Sequence, residues 1–189
     1  MPRSVSFVTL VVALGVTIAA SAGEAETRRF ALPNLDMLEL TVPADWQETV
    51  DQPPGGGPPI IQFRPHTGAG FEVYLTPEWT GPSPGRILDA ESLHQQVRDA
   101  AERFAPQPAE QEPPLRRLQG ADGVGFYFMA SDDTPDTGGF RHLCQGVLQA
   151  GGLLLRFEVL TNDDQESVVA AALAMLQDAR HLATGADQR

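Results

Sequence analysis

The chain has 189 residues, with 25 acidic side chains against 13 basic ones and a net charge of −12. Such a surface repels phosphate backbones and anionic lipid heads, so nucleic acid is not an expected partner. Every basic side chain other than histidine is arginine, and a chain without lysine can support neither Schiff-base chemistry nor a P-loop lysine.

The N-terminus reads Met1-Pro2-Arg3, then a largely apolar run from Val5 to Ala20, then Ala20-Ser21-Ala22. A basic start, a short apolar segment and small residues at its end make a secretory signal peptide, residues 1–22. Cleavage is expected after Ala22, with Ala25 as the alternative. An uncleaved anchor would need a longer span and a basic cluster after it. No cysteine stands at the cleavage site, so a lipid anchor is not expected. Loss of Arg3 leaves 12 arginines against 25 acids on residues 23–189, a length that suits one domain. The expected location is periplasmic or secreted.

Glu24–Arg29 is expected to be a loose polar lead-in. Phe30–Leu32 is a short strand candidate, and Met37–Val42 alternates as a half-buried strand. Pro43-Ala44-Asp45-Trp46 closes that strand, with Trp46 as a core plug. Residues 51–59, Asp-Gln-Pro-Pro-Gly-Gly-Gly-Pro-Pro, are expected to form a loop. Ile60–Arg64 and Phe71–Leu75 are the next strands, joined through His66. Residues 76–86 are rich in proline and glycine and read as a second loop. Trp79 on it is a candidate partner contact, or else folds back on the sheet.

A helix is expected over Ala90–Phe104, capped by Asp89 or Ser92, with Leu93, Val97, Ala100, Ala101 and Phe104 buried. Residues 105–114 are a third loop. Leu115–Gln119 and Val124–Ala130 form a hairpin around Gly120-Ala121-Asp122-Gly123. Val124, Phe126 and Phe128 face one way, Tyr127 and Met129 the other.

The rest of the chain is built around Phe140–Leu182. Gly151-Gly152 suits a two-residue turn. That places Ala150 opposite Leu153, Leu148 opposite Leu155, Gly146 opposite Phe157, Cys144 opposite Val159 and His142 opposite Thr161. Opposed residues share a face, so Cys144, Leu148, Leu153, Leu155, Phe157 and Val159 point into a core. Gly146 leaves room for the Phe157 ring. The other face mixes Gln145, Gln149, Arg156 and Glu158 with Leu143, Val147, Leu154 and Leu160, which implies partial cover on that side too. An amphipathic helix follows Asn162, with Asp163 and Glu166 as a capping pair. Its stripe is Val168, Ala172, Met175, Ala179 and Leu182, flanked by Val169, Leu173 and Leu176. Arg180, His181 and Gly185 read as its stop signals.

The serine-hydrolase elbow, the zinc-protease helix, the paired-cysteine metal motif and the dinucleotide glycine fingerprint are absent from the sequence. Cys144 is the only cysteine, so no internal disulfide forms, and it reads as a buried small hydrophobe. His142 and Cys144 lie two apart on one strand face, about 7 Å, too far for a direct thiol–imidazole bond. Asp132, Asp133 and Asp136 offer oxygen ligands but lack calcium-loop spacing, so they read as a solvated acidic turn. His66, His94, His142 and His181 show no metal-ligand spacing, and His94 and His181 are expected at the surface. No catalytic, cofactor or metal set is assigned.

Val42-Pro43-Ala44-Asp45-Trp46 early in the chain, with Gly146, Gly151-Gly152 and Leu155-Arg156-Phe157 before the last helix, resembles the PsbP-like superfamily. That family includes small exported bacterial proteins of the DcrB type. The resemblance implies an antiparallel sheet flanked by helices, an α+β fold of the α/β/α kind, with a non-enzymatic accessory or binding role. The expected function is an exported soluble binding protein with a protein partner in the cell envelope, contacted through Pro53–Pro58 and Trp79. Two alternatives are a hydrolase-like enzyme, with a dispersed site drawn from His142, Glu158 or Asp133, and a small-ligand carrier.

Overall fold

The structure, a computed structural model, describes residues 24–33, 36–79, 88–104 and 113–183. The signal-peptide segment, most of the loop at 76–86 and residues 105–112 lie outside the described residues. Within them the elements run β1 (Ala25–Ala31), β2 (Met37–Pro43), β3 (Trp46–Asp51), β4 (Ile60–Pro65), β5 (Glu72–Trp79), α1 (Ala90–Phe104), β6 (Arg116–Gly120), β7 (Gly123–Ser131), β8 (His142–Ala150), β9 (Leu153–Thr161), α2 (Glu166–Gln177) and β10 (Arg180–Leu182). The class is α+β, mostly antiparallel sheet with two helices. Among the described residues no helix is long and apolar enough to cross a membrane.

Two sheets form where one was expected. Seven strands pair in the order β3-β4-β5-β9-β8-β7-β6, and three in the order β1-β2-β10. The β8–β9 hairpin has the expected register, with Ala150 opposite Leu153, Gly146 opposite Phe157 and His142 opposite Thr161. An added Cβ at Gly146 would lie 2.3 Å from the Phe126 carbonyl oxygen and 2.7 Å from the Phe157 Cζ. The glycine is therefore there for close packing.

Alternate residues of β8 and β9 enter different clusters. Cys144, Leu148, Leu153, Leu155, Phe157 and Val159 join Val169, Ala172, Met175 and Leu176 of α2 and Phe30, Leu38, Leu40 and Val42 of the small sheet. Val147 and Leu154 join Phe128 and Leu93, Val97 and Ala101 of α1. Trp46 plugs the first cluster as expected, 4% exposed, with its ring centroid 4.9 Å from that of Phe71. Helix α1 has the expected bounds, and the Asp89 Oδ1 caps it by accepting from the Ser92 N–H at 2.7 Å. Phe104 departs from expectation: it is 51% exposed, with its ring tilted by 42° to that of Phe128 at 5.8 Å between centroids.

Four further expectations are corrected. Residues 25–29 are not a loose lead-in but most of β1, paired in register with β2, and Arg28 donates to the Trp46 carbonyl at 2.9 Å. Strand β3 carries no alternation to read, because its five residues after Trp46 are all exposed. Residues 76–79 are not loop but the end of β5, paired with β9 from Thr76 opposite Arg156 to Trp79 opposite Leu153. There β5 has run past its pairing with β4, which ends at Leu75, and an edge tolerates Pro77. The last helix stops at Gln177, and Arg180–Leu182, expected to be its final turn, pairs with β2 instead.

The start of α2 also differs. Its N-cap is Gln165, which makes no side-chain cap bond. The Gln165 Oε1 instead accepts from the Asn162 N–H at 2.7 Å, and its Nε2 donates to the carbonyls of Ala69 and Gly70. Asp163 is used elsewhere, by His142. His181 is not a surface residue: its side chain is 10% exposed. Its Nδ1 accepts from the Gly152 N–H at 3.3 Å, which leaves Nε2–H to donate to the Asp36 Oδ2 at 3.1 Å.

Gly146→Ala is expected to cost about 1–3 kcal/mol, the usual penalty of overpacking, measured as a lowered urea midpoint. Gly70→Ala is the control, with open space at its Cβ and an expected change within about 0.5 kcal/mol.

Candidate binding site

Across β4, β5, β9, β8 and β7 the residues on the α1 side fall in rows. Gln62, Tyr74, Glu158, Gln145 and Phe128 stand side by side, as do Thr76, Arg156, Val147 and Phe126. Phe128, Val147 and Phe126, towards β7, are apolar and are covered by α1. The other ends are polar. A recess of about 320 Å³ lies where the two halves meet, between α1 and the sheet. Val97, Ala100, Phe128 and Val147 supply its apolar wall, while Tyr74, Thr76, Gln145, Glu158, Glu78, Gln96, Arg103 and Arg156 supply polar groups.

Most of these polar groups are held in place. The Arg156 Nε donates to the Glu78 Oε2 at 2.8 Å and its second nitrogen to the Gln96 Oε1 at 3.3 Å. This pins α1 to the sheet, although a pair this exposed contributes at most about 1 kcal/mol. The Gln145 Nε2 donates to the Glu158 Oε1 at 2.7 Å. The Gln145 Oε1 is buried and accepts from no group among the described residues. An acceptor left so carries a desolvation cost of about 1–3 kcal/mol. Tyr74 donates its hydroxyl to the Glu72 Oε2 at 2.5 Å, and Arg64 pairs with the other oxygen of Glu72 at 2.7 Å. The bond to Glu72 raises the Tyr74 hydroxyl above the ordinary phenol value; partial burial and the Glu72 charge act the same way, with Arg64 opposing. The hydroxyl therefore stays protonated at neutral pH.

Comparison with protein-family models, characterised proteins and solved structures gives no match. The site therefore rests on its own geometry.

The residues singled out from the sequence lie elsewhere. Trp79 ends β5, half-buried, packed on the core cluster of α2, with its indole Nε1 buried and unpartnered among the described residues. Neither Trp79 nor residues 51–59 line the recess. Cys144 points inward, 1% exposed, and burial pushes its thiol up to about 12. His142 makes no bond to it. Its Nδ1 lies 2.9 Å from the Ser131 Oγ and its Nε2 lies 2.9 Å from the Asp163 Oδ1. Glu158 is on the opposite face of the sheet and Asp133 is exposed, so the dispersed site imagined around His142, Glu158 and Asp133 does not assemble.

The serine–histidine–aspartate order at His142 has the look of a hydrolytic triad, but its setting argues against one. An acyl-transfer site needs free backbone donors beside the nucleophile. Beside Ser131 the Asp132 N–H is bonded to the Arg141 carbonyl at 2.8 Å, and the Thr134 N–H to the Asp132 Oδ1 at 2.8 Å. The array ties the loop before α2 to the β7–β8 edge. Asp132 thus serves its own turn, and among the described residues no group of three or more His, Cys, Asp or Glu is arranged to hold a metal ion.

The native protein is expected to resist iodoacetamide at about pH 8 and to label fully in denaturant. A thiol raised on folding leaves stability intact below its ordinary value of 9.0 and erodes it as pH climbs towards about 12. Cys144→Ala should remove that fall, read as urea midpoints across the window. In a Tyr127→Phe background, Glu72→Gln should move the ultraviolet titration of Tyr74 to lower pH.

Proposed function

We propose that this is an exported, non-catalytic binding protein of the cell envelope, and that the recess beside α1 takes a small polar ligand. The leader-like N-terminus supports export. The PsbP-like resemblance and the partition of β8 and β9 side chains between two helices support an α/β/α layering. The observation that carries the binding role is the recess. Its volume of about 320 Å³ lies within the roughly 300–1,000 Å³ of small-molecule sites, and convergent polar groups line it.

This favours a ligand carrier over a docking surface for a protein at Pro53–Pro58 and Trp79. The Trp79 ring is packed against the protein's own core rather than presented outward. It also favours binding over catalysis, because Arg156, Glu78, Gln96, Gln145 and Glu158 are tied to one another and His142 lies on the other face of the sheet.

The mature protein is expected to retain or take up a small polar molecule, seen by native mass spectrometry and by a rise in melting temperature. Ala100→Trp should fill the recess and abolish that rise while circular dichroism stays unchanged. A protein with no retained molecule and no response to a broad panel of small polar compounds would end the proposal.

A further inference from the structure

We infer that the recess recognises a zwitterion, an α-amino acid or a compound with the same paired charges; this rests on the carrier reading above. The charged groups lining it are Glu78 and Glu158 against Arg103 and Arg156, and they cancel. A singly charged ligand would leave two of them facing a like charge. An anion would in addition approach a chain of net charge −12, whose field opposes it at long range. A molecule carrying both charges and no net charge meets neither penalty.

The positions suit the two ends separately. Glu158 and the unmet Gln145 Oε1 stand side by side on β9 and β8. Gln145 uses only its amide nitrogen on Glu158, and a carboxylate has room for about four hydrogen bonds. The Gln145 Oε1 has almost no accessible surface, so the Glu158 carboxylate, with capacity beyond that one bond, is the acceptor for an ammonium. Arg156 lies two residues along the same strand, about 7 Å away, and Arg103 reaches the recess from α1. These are the donors for a carboxylate. Hydrogen bonds of about 3 Å to each end let one amino acid bridge that interval. Its side chain then meets Val97, Ala100, Phe128 and Val147, an apolar wall of moderate size.

The test is titration calorimetry of the mature protein with L-leucine, L-leucine methyl ester and N-acetyl-L-leucine, with the other common L-amino acids as a panel. Binding should be confined to free amino acids, and capping either end of the best binder should weaken it at least tenfold. Glu158→Gln should reduce the preference for the free amine over the N-acetyl form, and Arg103→Gln the preference for the free carboxylate over the ester. Both changes are conservative and partly exposed, and unaltered circular dichroism checks that they fold. If compounds of one charge or none bind as well, in a manner abolished by Ala100→Trp, the zwitterion assignment is wrong and the carrier role stands. If nothing binds, both fall.

Discussion

Along β9 the side chains of Leu153, Leu155, Phe157 and Val159 enter the cluster shared with α2, while Leu154 between them enters the cluster under α1. Strand side chains alternate with a period of two, so a slip of one residue would exchange every one of them. Register is thus held by two cores at once. The glycine turn sets it locally, and the close fit of Phe157 over Gly146 fixes it from within the sheet. The other strands of the large sheet build outward from this ribbon, β5 on one side and β7 on the other.

The same alternation explains the recess. Helix α1 packs against β7 and β8 and reaches only as far as Leu154. Beyond it the face continues with Tyr74, Thr76, Arg156 and Glu158, polar residues that no helix among the described residues covers. Arg156, Glu78 and Gln96 mark the boundary, bonding the rim of the helix to the uncovered half. A polar surface beside an apolar wall, with fixed donors and acceptors, results from covering half a sheet face with one helix.

Much of this fold was legible in the sequence where side chains carried the signal. The Gly151-Gly152 turn, the Leu153–Thr161 alternation and the spacing of Leu93, Val97 and Ala101 gave register and helix bounds directly. The failures share a cause. Strands β1, β3 and β10 are short or exposed and exist through backbone pairing, which sequence periodicity does not report. Arg180 and His181 resembled the basic end of a helix, yet His181 is half-buried and bonded to residues distant in the chain. The recess was half visible: the mixed polarity of Gln145, Arg156 and Glu158 was clear, but their meeting with Tyr74 and Arg103 needed the order β5-β9-β8. The Ser131–His142–Asp163 array was hidden for the same reason, since it joins two strands and a loop.

The tie between His181 and Asp36 spans 145 residues, and β2 takes one partner from the adjacent β1 and the other from β10. The small sheet is therefore finished only by the last described strand. A chain emerging from the ribosome carries β2 with one unpaired edge until Arg180–Leu182 has been made. Pairing across so long a separation is intrinsically slow, because the loop-closure entropy must be met before the contacts form.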